Sequence, residues 1–128
     1  MRPTWLEIDL GALGRNYRRL ARRAAGARVI AVVKANAYGH GAATVARALL
    51  GCGAERLAVA TSGEGAGLRR AGIDAPVLLL GSLHPDDAED AARWGLTPTL
   101  VTLEAARAYA AATRCTRPTR PRSSPAWE

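Results

Sequence analysis

The chain has 128 residues, of which 48% are hydrophobic, and its 18 basic and 11 acidic side chains leave a formal net charge of +7. This length is enough for one compact domain but well below the about 250 residues of a complete (β/α)8 barrel. The charge excess could indicate a nucleic-acid or anionic-membrane partner, but four arginines and one glutamate in segment 114–128 supply three of these charges. Because there is also no nucleic-acid-binding motif and no run of about 20 apolar residues, we expect neither partner.

The cysteines and the N-terminal segment predict a cytoplasmic protein. Cys52 and Cys115 have neither a metal-ligand spacing nor the spacing of a framework of several disulfides. Both are therefore expected to be free thiols in a reducing compartment, and no metal site is predicted. Glu7 and Asp9 place charges in the N-terminal segment, which lacks the continuous apolar core of a signal peptide.

Apolar and polar residues recur along the chain with spacings that predict strands and helices in turn. The predicted strands are 5–8, 28–33, 57–61, 76–81 and 96–101, and the predicted helices are 10–24, one ending at Gly51, 64–71, 85–94 and 103–112. Asp9 and Thr102 are predicted to cap the first and the last of these helices. Pro85, followed by two acids, is predicted to start the helix 85–94.

From residue 28 onward the predicted order is strand then helix, four times over. Near-continuous apolar strands between helices predict a parallel sheet with helices packed outside it. The spacing alone fits either the N-terminal half of a (β/α)8 TIM-type barrel or a small open doubly wound sheet. We therefore expect an α/β domain over residues 1–113. Segment 114–128 is rich in Arg, Pro and Ser without an apolar period, which predicts a disordered tail.

Lys34 is the only lysine of the chain, and it ends an apolar run that begins at Val29. In a parallel α/β sheet such a strand end lies at the edge where ligands bind. Partial burial there disfavours the ammonium form, and a neutral amine is the species that forms a Schiff base with an aldehyde. Tyr38 offers a hydroxyl for a phosphate oxygen, while Gly39 and Gly41 permit positive φ and close approach of a ligand. A lysine that merely extends from a strand end into solvent fits this spacing equally well.

Two segments carry a resemblance to a known family. Residues 33–41, Val-Lys-Ala-Asn-Ala-Tyr-Gly-His-Gly, resemble the pyridoxal-phosphate attachment motif of the alanine racemase family, and residues 2–13 resemble the N-terminal segment of that family. The resemblance, which extends over residues 2–113, implies the N-terminal part of a (β/α)8 barrel that is followed in the family by a β domain. It also implies that Lys34 binds pyridoxal 5′-phosphate as a Schiff base and acts as one of two catalytic bases, and that Tyr38 contacts the cofactor phosphate.

The function implied by this resemblance is the interconversion of L-alanine and D-alanine, which supplies D-alanine for peptidoglycan. The complete family protein is expected to be a homodimer that acts on a small amino acid. Its second base is a tyrosine of the other subunit's β domain, and two arginines bind the pyridine nitrogen and the substrate carboxylate. All three lie beyond the family pattern present here, so this chain is expected to be weakly active or inactive alone.

A second family offers an alternative function. Noncatalytic carriers of pyridoxal phosphate in vitamin B6 homeostasis also have a lysine-bearing barrel, but they lack a β domain. The chain is shorter than that barrel as well, and the match at residues 5–13 favours the racemase family over the carriers.

Other polar residues near predicted strand ends are weaker candidates. His40 belongs to the matched motif and is expected to pack against or support the site rather than to transfer a proton. Ser62, Ser82 and His84 follow predicted strands and are placed to line the same edge, although His84 fits a solvated loop better. The glycine-rich segment 63–68 lacks the third glycine of a dinucleotide fingerprint, so no nucleotide site is predicted there.

Overall fold

The computed structural model describes residues 4–116, in which strands and helices alternate. The elements are α1 (Leu10–Arg23), β1 (Ile30–Val32), the short turn α2 (Lys34–Tyr38), α3 (Ala42–Gly51), β2 (Arg56–Val59), α4 (Ser62–Arg70), β3 (Val77–Ser82), a 3-10 turn (Pro85–Asp87), α5 (Ala88–Arg93), β4 (Thr97–Thr99) and α6 (Leu103–Cys115). This alternation confirms the predicted α/β class.

The four strands form one sheet in the order β1-β2-β3-β4, and every neighbouring pair is parallel. A doubly wound sheet reverses its strand order at a switch point, whereas this order never reverses. Right-handed crossovers between strands in sequential order place all the connecting helices on one face. The arrangement is therefore that of consecutive βα units of a (β/α)8 barrel, which excludes the open doubly wound alternative.

The two faces of the sheet have different environments. The face that packs against the helices buries Val33, Leu57, Val59, Val77 and Leu79. On the opposite face Ile30, Val32 and Leu80 are exposed. In a closed barrel this second face lines the interior, so we call it the inner wall. Its apolar side chains show that the sheet is built to be covered on both sides, as parallel sheets are.

Residues 5–8 do not form the predicted strand, and that prediction is wrong. The segment has no regular secondary structure, and Trp5 and Leu6 are 76% and 73% exposed. Alternation of apolar and polar residues is not sufficient for a strand, because the backbone groups also need a neighbouring strand as partner. Within residues 4–116 the sheet contains β1 to β4 and no strand beside this segment.

Several other boundaries differ from those predicted. α3 ends at Gly51, as predicted, but the glycine with positive φ after it is Gly53, at 101°. β1 and β4 have three residues each, fewer than predicted. α6 continues to Cys115, so Arg114 and Cys115 are helical although their composition places them in the tail. The remaining tail, residues 117–128, lies outside the described residues.

The predicted caps of the first and last helices are confirmed. Asp9 Oδ1 accepts the N–H of Ala12 at 2.9 Å, and Thr102 Oγ1 accepts the N–H of Ala105 at 3.1 Å. Each bond satisfies a backbone donor that has no partner inside its helix. The bond from Ala12 also lowers the pKa of the Asp9 carboxyl, because it stabilises the ionised form.

Two glycines of α4 have opposite packing requirements. A Cβ added to Gly65 would lie 2.7 Å from Leu96 Cδ1, and Leu96 is buried, whereas no heavy atom lies within 4 Å of a Cβ added to Gly67. Gly67→Ala should therefore raise the free energy of unfolding by up to about 1 kcal/mol through helix propensity. Gly65→Ala, the matched control, should lower it because Leu96 has to move. Urea unfolding measures both, and a stabilised Gly65→Ala protein would contradict this packing.

Candidate active site

Lys34 follows β1 at the carboxyl edge of the sheet, where the sequence predicts it. The preceding residue, Val33, donates its N–H to the carbonyl oxygen of Ala58 at 2.8 Å, which continues the pairing of β1 with β2. Lys34 then begins the short turn α2 and is half-buried. The single lysine of the chain thus lies at the end of the sheet where (β/α)8 barrels bind their ligands.

Residues 35–38 form a left-handed turn directly after Lys34. The φ angles of Ala35, Asn36, Ala37 and Tyr38 are 50°, 54°, 53° and 55°. This region costs a non-glycine residue about 1–2 kcal/mol, and proteins retain such strain mainly at functional sites. Gly39 and Gly41 have positive φ, at 86° and 89°, in agreement with the sequence analysis. The four non-glycine residues before them were not predicted to share that conformation.

Hydrogen bonds within the segment hold the left-handed turn together. The N–H of Gly39 donates to the carbonyl oxygen of Ala35 at 3.0 Å. Asn36 Oδ1 accepts the N–H of Ala42, the first residue of α3, at 2.9 Å. The turn is therefore fixed to α3, while its last residue, Tyr38, leaves 60% of its surface exposed.

His40 packs onto the same turn. Its Nδ1 lies 2.9 Å from the carbonyl oxygen of Ala37 and 3.0 Å from that of Tyr38. Because both carbonyl oxygens can only accept, Nδ1 must be the protonated ring nitrogen. This contact agrees with the packing role that the sequence analysis expects for His40.

Glu64 connects the left-handed turn to α4, although the sequence analysis does not single it out. Its Oε1 accepts the N–H of Ala35 at 2.7 Å, and its Oε2 accepts the N–H of Ala60 at 2.7 Å. The N–H of Glu64 in turn donates to Thr61 Oγ1 at 3.3 Å, which completes a capping box. The Thr-x-x-Glu spacing at the start of a predicted helix was the available signal.

The other strand-end residues have different surroundings. Ser62 and Ser82 line one cavity of about 290 Å³ at the carboxyl ends of β2 and β3, so the structure brings these two together. Neither Lys34 nor Tyr38 lines this cavity. His84 is exposed, and its Nδ1 lies 3.4 Å from a carboxylate oxygen of Asp86, as expected of a solvated loop residue.

Comparison with known proteins assigns this arrangement to a family. Residues 8–121 match the sequence profile of a family described as alanine racemase, N-terminal domain. The chain belongs to this family. The alanine racemase of Carboxydothermus hydrogenoformans is 51% identical over 109 residues, which is 85% of this chain and 30% of that protein. The alanine racemase of Geobacillus kaustophilus is 53% identical over 92 residues, which is 71% of this chain and 24% of that protein.

Solved structures have the same fold as this alanine racemase domain. The alanine racemase from Bacillus anthracis with bound L-Ala-P gives a TM-score of 0.80 at 38% identity, over 91% of this chain and 30% of that one. A histidine racemase from Leuconostoc mesenteroides gives a TM-score of 0.75 at 30% identity, over 87% of this chain and 30% of that one. These findings confirm the family resemblance and the partial barrel.

The chain corresponds to only a part of the enzymes that it resembles. It spans about a third or less of the length of the relatives it matches, and those relatives are isomerases. No helix within residues 4–116 is long and apolar enough to cross a membrane. In the same described range, no group of three or more His, Cys, Asp or Glu side chains is arranged to hold a metal ion.

Proposed function

We propose that this domain holds the pyridoxal-phosphate lysine of an alanine racemase, an isomerase that interconverts L-alanine and D-alanine. The observation that carries the proposal is the position of Lys34, the only lysine, at the carboxyl edge of the sheet and at the start of a strained left-handed turn. Family membership supports the cofactor. The activity is proposed for the protein in which this domain is joined to the rest of the racemase fold.

The residues of the turn fit the chemical groups of the cofactor. The aldehyde of pyridoxal phosphate requires a primary amine, and Lys34 is the one side chain of this sequence that supplies it. The phosphate requires hydrogen-bond donors, and the exposed Tyr38 carries a hydroxyl. No heavy atom lies within 4 Å of a Cβ added to Gly39. One short segment therefore offers an amine, a hydroxyl and open space.

Lys34 has two duties in the proposed reaction. Its Nζ would hold the cofactor covalently in the absence of substrate. With substrate bound, Nζ would be a base that takes a proton from the α-carbon or returns one to it. Pyridoxal phosphate, when bound, supplies the electron sink for the charge that develops at this carbon. The hydroxyl of Tyr38 would hold the phosphate of the cofactor.

Alanine is the proposed substrate, and D-alanine for peptidoglycan is the proposed product. The names of the sequence relatives support this choice. The barrel fold by itself does not, because a protein titled histidine racemase is also similar in structure. Racemisation needs a second base on the other face of the substrate, which in this family comes from the partner subunit. We therefore propose a homodimer. We also propose that it is located in the cytoplasm, which the free thiols Cys52 and Cys115 support.

Trapping of the cofactor tests the proposed attachment. The purified chain is mixed with pyridoxal phosphate, reduced with borohydride and digested, and the modified peptide is identified by mass spectrometry. We expect a visible absorption band before reduction and one cofactor on the peptide that contains Lys34. Pyridoxal without its phosphate is the matched control and should attach more weakly. Folded protein with no modification, or with modification at the amine of Met1 alone, contradicts the proposal.

Tyr38→Phe tests the second cofactor contact. A hydrogen bond to a charged group is worth about 1.5–3 kcal/mol, so the variant should bind pyridoxal phosphate at least about tenfold more weakly. Its affinity for pyridoxal without phosphate should be unchanged. Titration of the visible absorption measures both affinities. Tyr17→Phe, on the packed face of α1, is the control, and equal losses in the two variants would exclude a phosphate contact at Tyr38.

A further inference from the structure

The carboxylate of Glu64 bridges two strand ends beside Lys34. Its short bonds, both 2.7 Å, go to the backbone N–H groups of Ala35 and Ala60, and a longer bond of 3.4 Å goes to the N–H of Thr61. Bonds from N–H donors to an ionised carboxylate are roughly twice as strong as neutral ones. We call the two short contacts the Glu64 bridge.

The Glu64 bridge continues the β1–β2 pairing beyond the strands. Main-chain pairing of β1 with β2 runs from Ile30–Arg56 to Val32–Ala58. Ala35 and Ala60 follow these paired segments, and their N–H groups are satisfied by the two oxygens of one side chain. The carboxylate thus takes the place of a main-chain hydrogen bond between β1 and β2 at the edge of the sheet where Lys34 begins the turn.

The Glu64 bridge holds the peptide unit that joins Lys34 to Ala35. The N–H of Ala35 belongs to the peptide plane formed with the carbonyl of Lys34, and a peptide unit moves as a rigid plane. Holding this N–H therefore holds the ψ angle of Lys34 and the direction in which its side chain leaves the backbone. Ala35 is also the first residue of the left-handed turn, whose cost of about 1–2 kcal/mol per residue the surrounding contacts must offset.

We propose that Glu64 is a positioning residue for Lys34, an inference that rests on the function proposed above. Capping of α4 is a separate duty. It requires the two contacts between Glu64 and Thr61, the N-cap residue of α4. The bond to Ala35 comes from a segment 29 positions earlier in the chain and contributes nothing to that cap. It orients the turn that presents the amine.

Three substitutions separate positioning from capping. Glu64→Gln keeps the size but replaces one accepting oxygen with an amide group that donates. Glu64→Asp keeps the charge and is one methylene shorter, so it should retain local capping and lose the reach to Ala35. Thr61→Ala removes the hydroxyl of the capping box and leaves the Glu64 bridge in place, which makes it the matched control.

The experiment compares these variants of the 128-residue chain with the parent chain. It measures amide hydrogen exchange at Ala35, the rate of pyridoxal phosphate attachment trapped by borohydride, and the urea midpoint. For Glu64→Gln and Glu64→Asp we expect exchange at Ala35 at least about tenfold faster and attachment about tenfold slower, the scale of one charged hydrogen bond. Thr61→Ala should stay within about twofold of the parent in both rates, even where its urea midpoint falls.

The outcomes separate this inference from the proposed function. A parent chain that binds the cofactor at Lys34, with attachment unchanged in both Glu64 variants, overturns the positioning role and leaves the proposed function intact. The positioning role is also overturned if Thr61→Ala and Glu64→Asp have the same urea midpoint and slow cofactor attachment equally. If the parent itself takes up no cofactor, the proposed function fails. Exchange at Ala35 then still decides whether Glu64 holds the turn.

Discussion

Replacing Lys34 with alanine is expected to abolish covalent attachment of pyridoxal phosphate. The chain has no second lysine, so no other side-chain amine can take its place. The parent chain should turn yellow with the cofactor, whereas Lys34→Ala should stay colourless and carry no modification after borohydride reduction. Difference absorption spectra and mass spectrometry of the reduced protein measure this loss.

The control for Lys34→Ala is a change at the same edge of the sheet that leaves the amine in place. His84→Ala is suitable, because His84 is exposed and its contacts are confined to its own loop at Asp86. This variant should bind the cofactor like the parent. A Lys34→Ala protein that becomes as yellow as the parent would show that attachment does not occur at this residue, and the proposed function would fail with it.

Replacing Arg69 with methionine is expected to lower the free energy of unfolding by about 2–4 kcal/mol. The guanidinium of Arg69 is half-buried and donates to four carbonyl oxygens, those of Ile73, Ala75, Trp94 and Gly95, at 2.7, 2.8, 3.0 and 3.2 Å. It thereby ties the loop before β3 to the loop before β4. Methionine fills similar space but leaves these carbonyls without their donor. Urea unfolding followed by circular dichroism measures the change.

The neighbouring arginine provides the control for Arg69→Met. Arg70 is exposed, and its guanidinium carbon lies 5.4 Å from the centroid of the Trp94 ring. An exposed contact of this kind is worth about 0.5–1 kcal/mol, so Arg70→Met should cost no more than that. Equal unfolding free energies for the two variants would show that the four carbonyl contacts of Arg69 contribute little to stability.

The charge state of Arg69 supports this role in the fold. Burial lowers the pKa of its guanidinium, because desolvation disfavours the charged form, and the negative charge of Asp74 opposes this effect. An arginine stays protonated in proteins, so all of its N–H groups remain available as donors. The interaction with the carbonyls is therefore expected to persist across the pH range in which the domain is folded.

Most elements could be predicted from the sequence because local patterns specify them. The helices predicted at 10–24, 64–71 and 103–112 correspond to α1, α4 and α6, and the strands predicted at 57–61 and 76–81 correspond to β2 and β3. Apolar spacing reports which side of an element is buried whatever it packs against. Caps are equally local, since Asp9 and Thr102 each bond a backbone N–H three residues later.

The site was predictable only in part. Lys34 was identified because it is chemically unique and ends an apolar run, and its position at the carboxyl edge is as predicted. The left-handed turn was not foreseen at Ala35 to Tyr38, because alanine and tyrosine have no local preference for positive φ. The incorrect strand at 5–8 has a related cause, since alternation within a segment does not say whether another strand lies beside it.

The sequence by itself determined the α/β class, the family, the caps and the lysine that carries the proposed chemistry, because each of these depends on residues close together in the chain. The strand order that distinguishes a barrel from an open sheet was decided only by tertiary structure. So were the close packing at Gly65, the carbonyl contacts of Arg69 and the bridge from Glu64 to Ala35. Such contacts join segments far apart in the chain, and they form only after the strands have paired.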